Sequence, residues 1–186
     1  YDQTIDKGSM LVSSSNQVPS GNVPVDVSDT TIGGFYFDVK GEPVQVSSFT
    51  LNFTFTGTGT SSDVTGVKLY NATGNIAAGP KDPGSGVVVW TDTWTIPVGE
   101  HHYFVKAKLD TSFVSNDTVQ VSVDPDSLIT AKGEVTGLTI TPTPTTAVTS
   151  NGQTVKAGSM AVSMSSTPFG QNVVRGVNGY HFGTVI

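Results

Sequence analysis

Residues 51 to 62 read LNFTFTGTGTSS. Leu51, Phe53 and Phe55 alternate with Asn52, Thr54 and Thr56, and the run then gives way to glycine, threonine and serine. A period of two puts one set of side chains on each face of an extended strand, one buried and one wet, and residues 57 to 62 supply the turn that ends it. The pattern extends in both directions. Phe35, Phe37 and Val39 alternate with Tyr36, Asp38 and Lys40; Tyr103, Val105, Ala107 and Leu109 oppose His102, Lys106 and Lys108; Val119, Val121 and Val123 oppose Gln120 and Ser122. Turn chemistry separates these runs at Gly41-Glu42-Pro43, at residues 79 to 84 and at Pro97-Val98-Gly99. About eight short strands so punctuated predict an all-β fold, an antiparallel two-sheet sandwich. No segment carries a helical period. The expected core is Phe35, Phe37, Leu51, Phe53, Phe55, Leu69, Tyr103, Val105, Leu109, Val119 and Val121.

Composition agrees with strands and narrows function. Only 13% of the 186 residues are charged, whereas Ser and Thr together supply 46 and Gly another 21. The formal charge of -6, with nine scattered Lys and Arg, argues against nucleic acid, whose phosphates call for clustered cations. Cysteine is absent, which excludes a disulfide framework, a thiolate zinc site and a cysteine nucleophile. No run approaches 18 apolar residues, so membrane insertion is not expected, and any signal peptide or anchor is expected outside this stretch. The Lys-poor, Thr-rich composition suits an extracellular, cell-surface protein.

The chain also repeats itself. Residues 3 to 15, QTIDKGSMLVSSS, return at 153 to 165 as QTVKAGSMAVSMS, an ungapped match with eight of thirteen positions identical. The tail GQNVVRGVNGYHFGTVI further parallels GNVPVDVSDTTIGGFYFDV with small gaps. Thr141-Pro142-Thr143-Pro144-Thr145-Thr146 favours an extended conformation and reads as a semi-rigid connector. The expected organisation is a sandwich module over 1–143, a connector over 144–152 and the opening strands of a second copy over 153–186. On that expectation Met10 pairs with Met160, Val12 with Val162 and Phe37 with Phe182 in equivalent environments. Opening strands without the rest of their sheet need a partner, either the remainder of a longer chain or another copy.

The stretches VTGVKLYNATGNIAAGP (64 to 80), WTDTWTIPVGEHHYFVKAKLDT (90 to 111) and NDTVQVSVDPDSLITAKGEVTGLTI (116 to 140), followed by QTVKAGSMAVS, carry a family resemblance. They resemble the Ig-like repeats of very large surface proteins and S-layer-like proteins of candidate-phylum bacteria. The resemblance spans 1 to 143 and resumes at 153. It implies an Ig-like, extracellular structural repeat without catalytic residues of its own. Trp90, Trp94 and the His101-His102 pair depart from that family's usual pattern.

Candidate chemistry is sparse. Trp90 and Trp94, read as lying on one face of one strand about 13 Å apart, can stack sugar rings, but Val88 and Ile96 share that face and favour packing. His101 and His102 point to opposite faces and cannot chelate one metal together, and His181 lies in the second copy. Asp124 and Asp126, and the pair Asp26 and Asp29, offer oxygen ligands for Ca2+ without any contiguous calcium loop around them. Asn52, Asn71 and Asn116 head Asn-X-Thr sequons and are glycosylation candidates. No nucleophile elbow, zinc-helix motif or phosphate loop occurs, so neither an enzyme nor a cofactor is expected. The expectation is therefore a structural repeat unit of an extracellular assembly, a filament, tube or surface layer, whose partners are copies of itself. The alternative is an adhesin or carbohydrate-binding module that engages cell-wall glycans.

Overall fold

The computed structural model of the protein describes residues 7–156 without a break, and beyond them residues 162, 163, 165, 166, 175, 176 and 178. Its strands are β1 (Ser9–Ser14), β2 (Gly21–Val23), β3 (Thr30–Lys40), β4 (Val44–Thr56), β5 (Val64–Asn71), β6 (Ile76–Lys81), β7 (Val87–Trp90), β8 (Trp94–Ile96), β9 (Gly99–Leu109), β10 (Thr118–Val123), β11 (Ile129–Gly133), β12 (Thr139–Ile140), β13 (Val148–Thr149) and β14 (Gln153–Val155). One sheet runs β1-β3-β9-β5-β6. The second runs β12-β11-β4-β10-β14-β2, with β13 also on β10 and both β7 and β8 on β4. The fold is an all-β, two-sheet sandwich. Among the described residues every strand pair is antiparallel except β14 with β2, which is parallel.

The LNFTFT run belongs to β4, the 13-residue spine of the second sheet. One of its edges carries β10 and then β11, the other β7 and then β8. Asn52 thus lies between Ser122 and Val87, Phe49 between Ile129 and Trp90, and Val46 between Ala131 and Trp94. A bulge is needed to keep this strand's apolar residues on one face. Ser48 pairs with Thr130 and Val46 with Ala131, leaving Ser47 as an extra residue. Val44 and Val46 therefore point inward in step with Phe49, Leu51 and Phe53, all fully or almost fully buried.

All the expected core residues except Phe55 are buried. Phe55 is half-buried at the rim, stacked on Phe53 at 6.0 Å and tilted against buried Phe113 at 6.0 Å. Phe49 sits at the aromatic centre, 6.2 Å from both Phe35 and Phe37 of the opposite sheet. The two sheets approach closely at Gly33, where a Cβ would collide with Val121. Glycine is required there because no side chain fits between the backbones.

Two features depart from the sequence reading. A one-turn helix, α1 (Pro125–Leu128), joins β10 to β11, with proline at its first position, where a missing N–H costs nothing. The segment after Thr143 is also part of this sandwich. Thr143 accepts from the N–H of Val12 at 2.7 Å and donates to the carbonyl of Met10 at 2.9 Å, which lays the connector along β1. β13 then pairs with Ser122 and Val123, and β14 with Thr118 and Val119. Gln153 and Val155 are buried in the sheet rather than opening a separate body. Of the expected equivalent pairs, Met160 and Phe182 lie outside the described residues. Val162 is 60% exposed where Val12 is 1% exposed.

Candidate functional site

Trp90 and Trp94 do not share a strand. The strand is interrupted at residues 91–93, and β7 and β8 pair separately with β4, bringing Trp90 opposite Phe49 and Trp94 opposite Val46. Both indoles flank Phe49, Trp90 stacked on it at 6.1 Å and Trp94 edge-on at 6.1 Å. Trp90 is 1% exposed and Trp94 half-buried, so the pair builds core and presents no two-ring platform to a sugar. A sequence alternation hides the break because Val88, Trp90, Trp94 and Ile96 keep the same parity across it.

Of the acids read as calcium ligands, Asp26 and Asp29 are engaged by cations, whereas Asp124 keeps a buried Oδ1 without a hydrogen-bond partner. Asp26 and Asp29 both adopt positive φ in the β2–β3 connection, where short polar residues are tolerated. Asp26 meets the Lys108 ammonium at 2.6 Å. Asp29 accepts from Lys68 at 2.8 Å and from the Tyr70 hydroxyl at 3.2 Å, and the lysine hydrogen bond holds its carboxyl below the usual range. Asp124 precedes α1 and Asp126 lies in its first turn. Among the described residues no three metal-ligating side chains converge.

The histidines part company as their parity requires. His101 continues the inward alternation of Tyr103 and Val105, while His102 lies on the outer face with its ring 5.1 Å from that of Tyr36. Ser13, Ser14, Asn16, Tyr36, Glu100 and His102 surround a shallow groove of about 350 Å³. Partial burial and the neighbouring Glu100 push the Tyr36 phenol up to about 12. Ser15 Oγ lies 2.8 Å from His102 Nδ1, the spacing of a serine–histidine pair, but Ser15 is 1% exposed and accepts the N–H of Gln17. That hydroxyl closes the corner after β1 and does not face a ligand. His181 lies outside the described residues.

The sequons sit in three settings. Asn52 is half-buried in the middle of β4 with strands on both sides. Asn71 caps its own turn, its Oδ1 accepting from Thr73 and Asn75. Asn116 is exposed at φ 80° and accepts from the Lys156 ammonium at 2.6 Å.

The best-organised polar groups are two carboxylates that the alternation pattern passes over, because both sit in turns. Glu42 is 6% exposed. Its Oε1 accepts from the Thr136 hydroxyl at 2.6 Å and the Gly8 N–H at 3.2 Å, and its Oε2 from the N–H groups of Thr136 at 2.9 Å and Val135 at 3.0 Å. These bonds, led by the Thr136 hydroxyl, hold the carboxyl down at about 2. Gly133 has no side chain because a Cβ would collide with this carboxylate. Glu42 thereby ties the start of β1, the β3–β4 turn and the β11–β12 hairpin into one corner. Asp117 does the same at the other end. Its Oδ2 accepts from the N–H groups of Val114 at 3.0 Å, Gly59 at 3.1 Å and Thr58 at 3.3 Å and from the Thr58 hydroxyl at 2.9 Å, and the Val114 bond leads in lowering its pKa.

Asp117 also anchors the place where the repeated segment enters the fold. Its carbonyl accepts the N–H of Val155 at 2.8 Å, and Val155 in turn accepts the N–H of Asn116 at 2.9 Å. On the far side, Gln153, Thr154 and Val155 run parallel to Gly21, Asn22 and Val23. Asn151 Nδ2 donates to the carbonyl of Val18 at 2.8 Å and Gln153 Nε2 to that of Pro19 at 3.0 Å. A strand-shaped slot between β10 and β2 is thus the site that this geometry defines, filled by the chain's own β14. No helix among the described residues is long and apolar enough to cross a membrane.

No family model matches the chain, and no curated protein matches it either. Among solved structures, it is similar to one titled "AvmM Catalyzes Macrocyclization in Alchivemycin A Biosynthesis", at 7% identity and a TM-score of 0.34 over 83% of this chain and 90% of that one. It is also similar to a DUF4466 family protein from Parabacteroides merdae, at 11% identity and a TM-score of 0.31 over 74% of this chain and 46% of that one. Likeness at that level carries no functional argument.

Proposed function

We propose that this chain is a structural repeat unit of an extracellular assembly, a filament, tube or surface layer, and that its activity is association with copies of itself. The observation that carries this reading is the duplication of residues 3 to 15 at 153 to 165, a pattern that arises when sandwich modules are strung in series. Two further features support it. The strongest polar constellations, around Glu42 and Asp117, spend their hydrogen bonds on locking turns together. The tryptophans that would favour a carbohydrate-binding module are committed to the rings around Phe49.

The test is sedimentation and negative-stain electron microscopy of the full chain over a wide concentration range. Regular polymers or layers are the expected result. A monomer that persists at every concentration and is retained on a glycan array would replace this reading with that of an adhesin.

A further inference from the structure

The slot filled by β14 has definite requirements. Gln153 is 4% exposed, and its amide donates to the carbonyls of Pro19 at 3.0 Å and Asn151 at 3.3 Å. Val155 is 0% exposed. Between them Thr154 is half-buried, in register with Thr118 on one side and Asn22 on the other. The slot therefore reads glutamine, threonine and a buried β-branched aliphatic, in that order, with backbone partners on both edges.

The chain carries a second segment that meets these requirements. Gln3, Thr4 and Ile5 stand at the head of the repeat where Gln153, Thr154 and Val155 stand in its copy, with the amide retained and the buried position still β-branched. The next position changes from Lys156 to Asp6. Asn116, which accepts from the Lys156 ammonium at 2.6 Å, can answer an aspartate with the donor end of its amide instead. The rest of the first copy belongs to a different place. Ser9 begins β1, and Met10 and Val12 enter the core of the opposite sheet. In the copy, Gln153, Thr154 and Val155 close this sandwich, whereas in the first occurrence the residues from Ser9 onward open it.

We propose that Gln3, Thr4 and Ile5 of one copy of this chain fit the slot between β10 and β2 of another copy, joining sandwiches in series with no linker beyond Asp6 and Lys7. This rests on the self-association reading and names its contact. Strand addition supplies main-chain hydrogen bonds for affinity, and the Gln and Ile positions supply specificity and direction. Within one chain the slot is held by β14, whose tether gives it a high effective concentration, so an incoming strand enters by displacing β14 and association is favoured only at high chain concentration.

The test uses the full chain carrying Thr154→Pro, which removes a ladder donor and frees the slot. The probes are fluorescent peptides of residues 1–8 and residues 151–158, followed by anisotropy. The variant is expected to bind both saturably, with affinities within about tenfold of each other, a difference of about 1.4 kcal/mol or less. It should not bind a 1–8 peptide carrying Gln3→Ala and Ile5→Asp, and the unaltered chain should bind neither peptide tightly. Should the proline variant fail to fold, Val155→Asp weakens β14 while leaving the backbone intact and takes its place. Binding of the 151–158 peptide alone overturns the proposal, and so does binding of neither. Peptide binding without polymers leaves the slot assignment standing and overturns the assembly reading, whereas polymers without peptide binding do the reverse.

Discussion

Phe49 meets four aromatic rings, those of Phe35, Phe37, Trp90 and Trp94, and is fully buried among them. Phe49→Ala should cost about 3–5 kcal/mol in denaturant melts, against about 0.5 kcal/mol or less for the exposed Thr54→Ala on the same strand. The alternation of Leu51, Phe53 and Phe55 was legible in the sequence, but the centrality of Phe49 was not. The bulge at Ser47 breaks the period just before it, so VQVSSF does not read as one continuous face. Glu42 escaped for a related reason, since a Gly-Glu-Pro turn looks solvated until the β11–β12 hairpin folds over it. Its carboxyl titrates near 2 in the folded protein against an ordinary 4.5, so the unfolded chain binds more protons between those values. The stabilisation is fully present above pH 4.5 and drains away as pH falls toward 2. Melting temperature followed across that window should fall more steeply for the native protein than for Glu42→Gln. Parallel curves would show that the Glu42 corner contributes nothing.

At the scale of elements, the bulged strands and the points of sheet contact decide the geometry. Gly33 lies where β3 shifts register against β9 and where Val121 of β10 crosses beneath it. Gly33→Ala should destabilise by about 1–3 kcal/mol through overpacking. Combining it with Val121→Ala should recover part of that loss, because the added methyl then enters the space that the valine vacates. A double-mutant cycle on the two changes checks this, and strict additivity would mean that the sheets do not touch there. Strand identities were largely readable from period two and from turn residues. The division of one tryptophan-bearing strand into β7 and β8 was not, since parity survives the gap at residues 91–93. Nor was α1, because a single turn holds too few residues to establish a period.

For the molecule as a whole, the sandwich class followed from the sequence, while its closing edge did not. The Thr-Pro run has the composition of a linker, yet its backbone bonds to β1, and the strands beyond it fill the margin of the second sheet. The sequence marks where the repeat begins, but the copy's first residues serve the sandwich that precedes it, and only pairing reveals that. A chain ending at Lys156 should therefore unfold cooperatively near the full-length protein, whereas one ending at Thr143 should melt markedly lower. Burial of Val155 alone contributes about 1.5–3 kcal/mol, and β13 and the Ser150 and Gln153 hydrogen bonds go with it. Equal melting temperatures by calorimetry would place the boundary back at Thr143.

The order β10-β14-β2 also has a meaning in time. Among the described residues β2 has β14 as its one neighbour in the sheet, so within a single chain residues 21–23 gain their pairing only once residues 153–155 exist. During synthesis the early strand must wait for more than a hundred later residues, and the flank of β10 that β14 covers stays bare meanwhile. Such distant pairing makes folding slow and leaves a growing chain adhesive until its final strand emerges. In a series of such modules, each would be sealed by the very segment that starts the next, so that the seam between two sandwiches is also the signal that the first is complete.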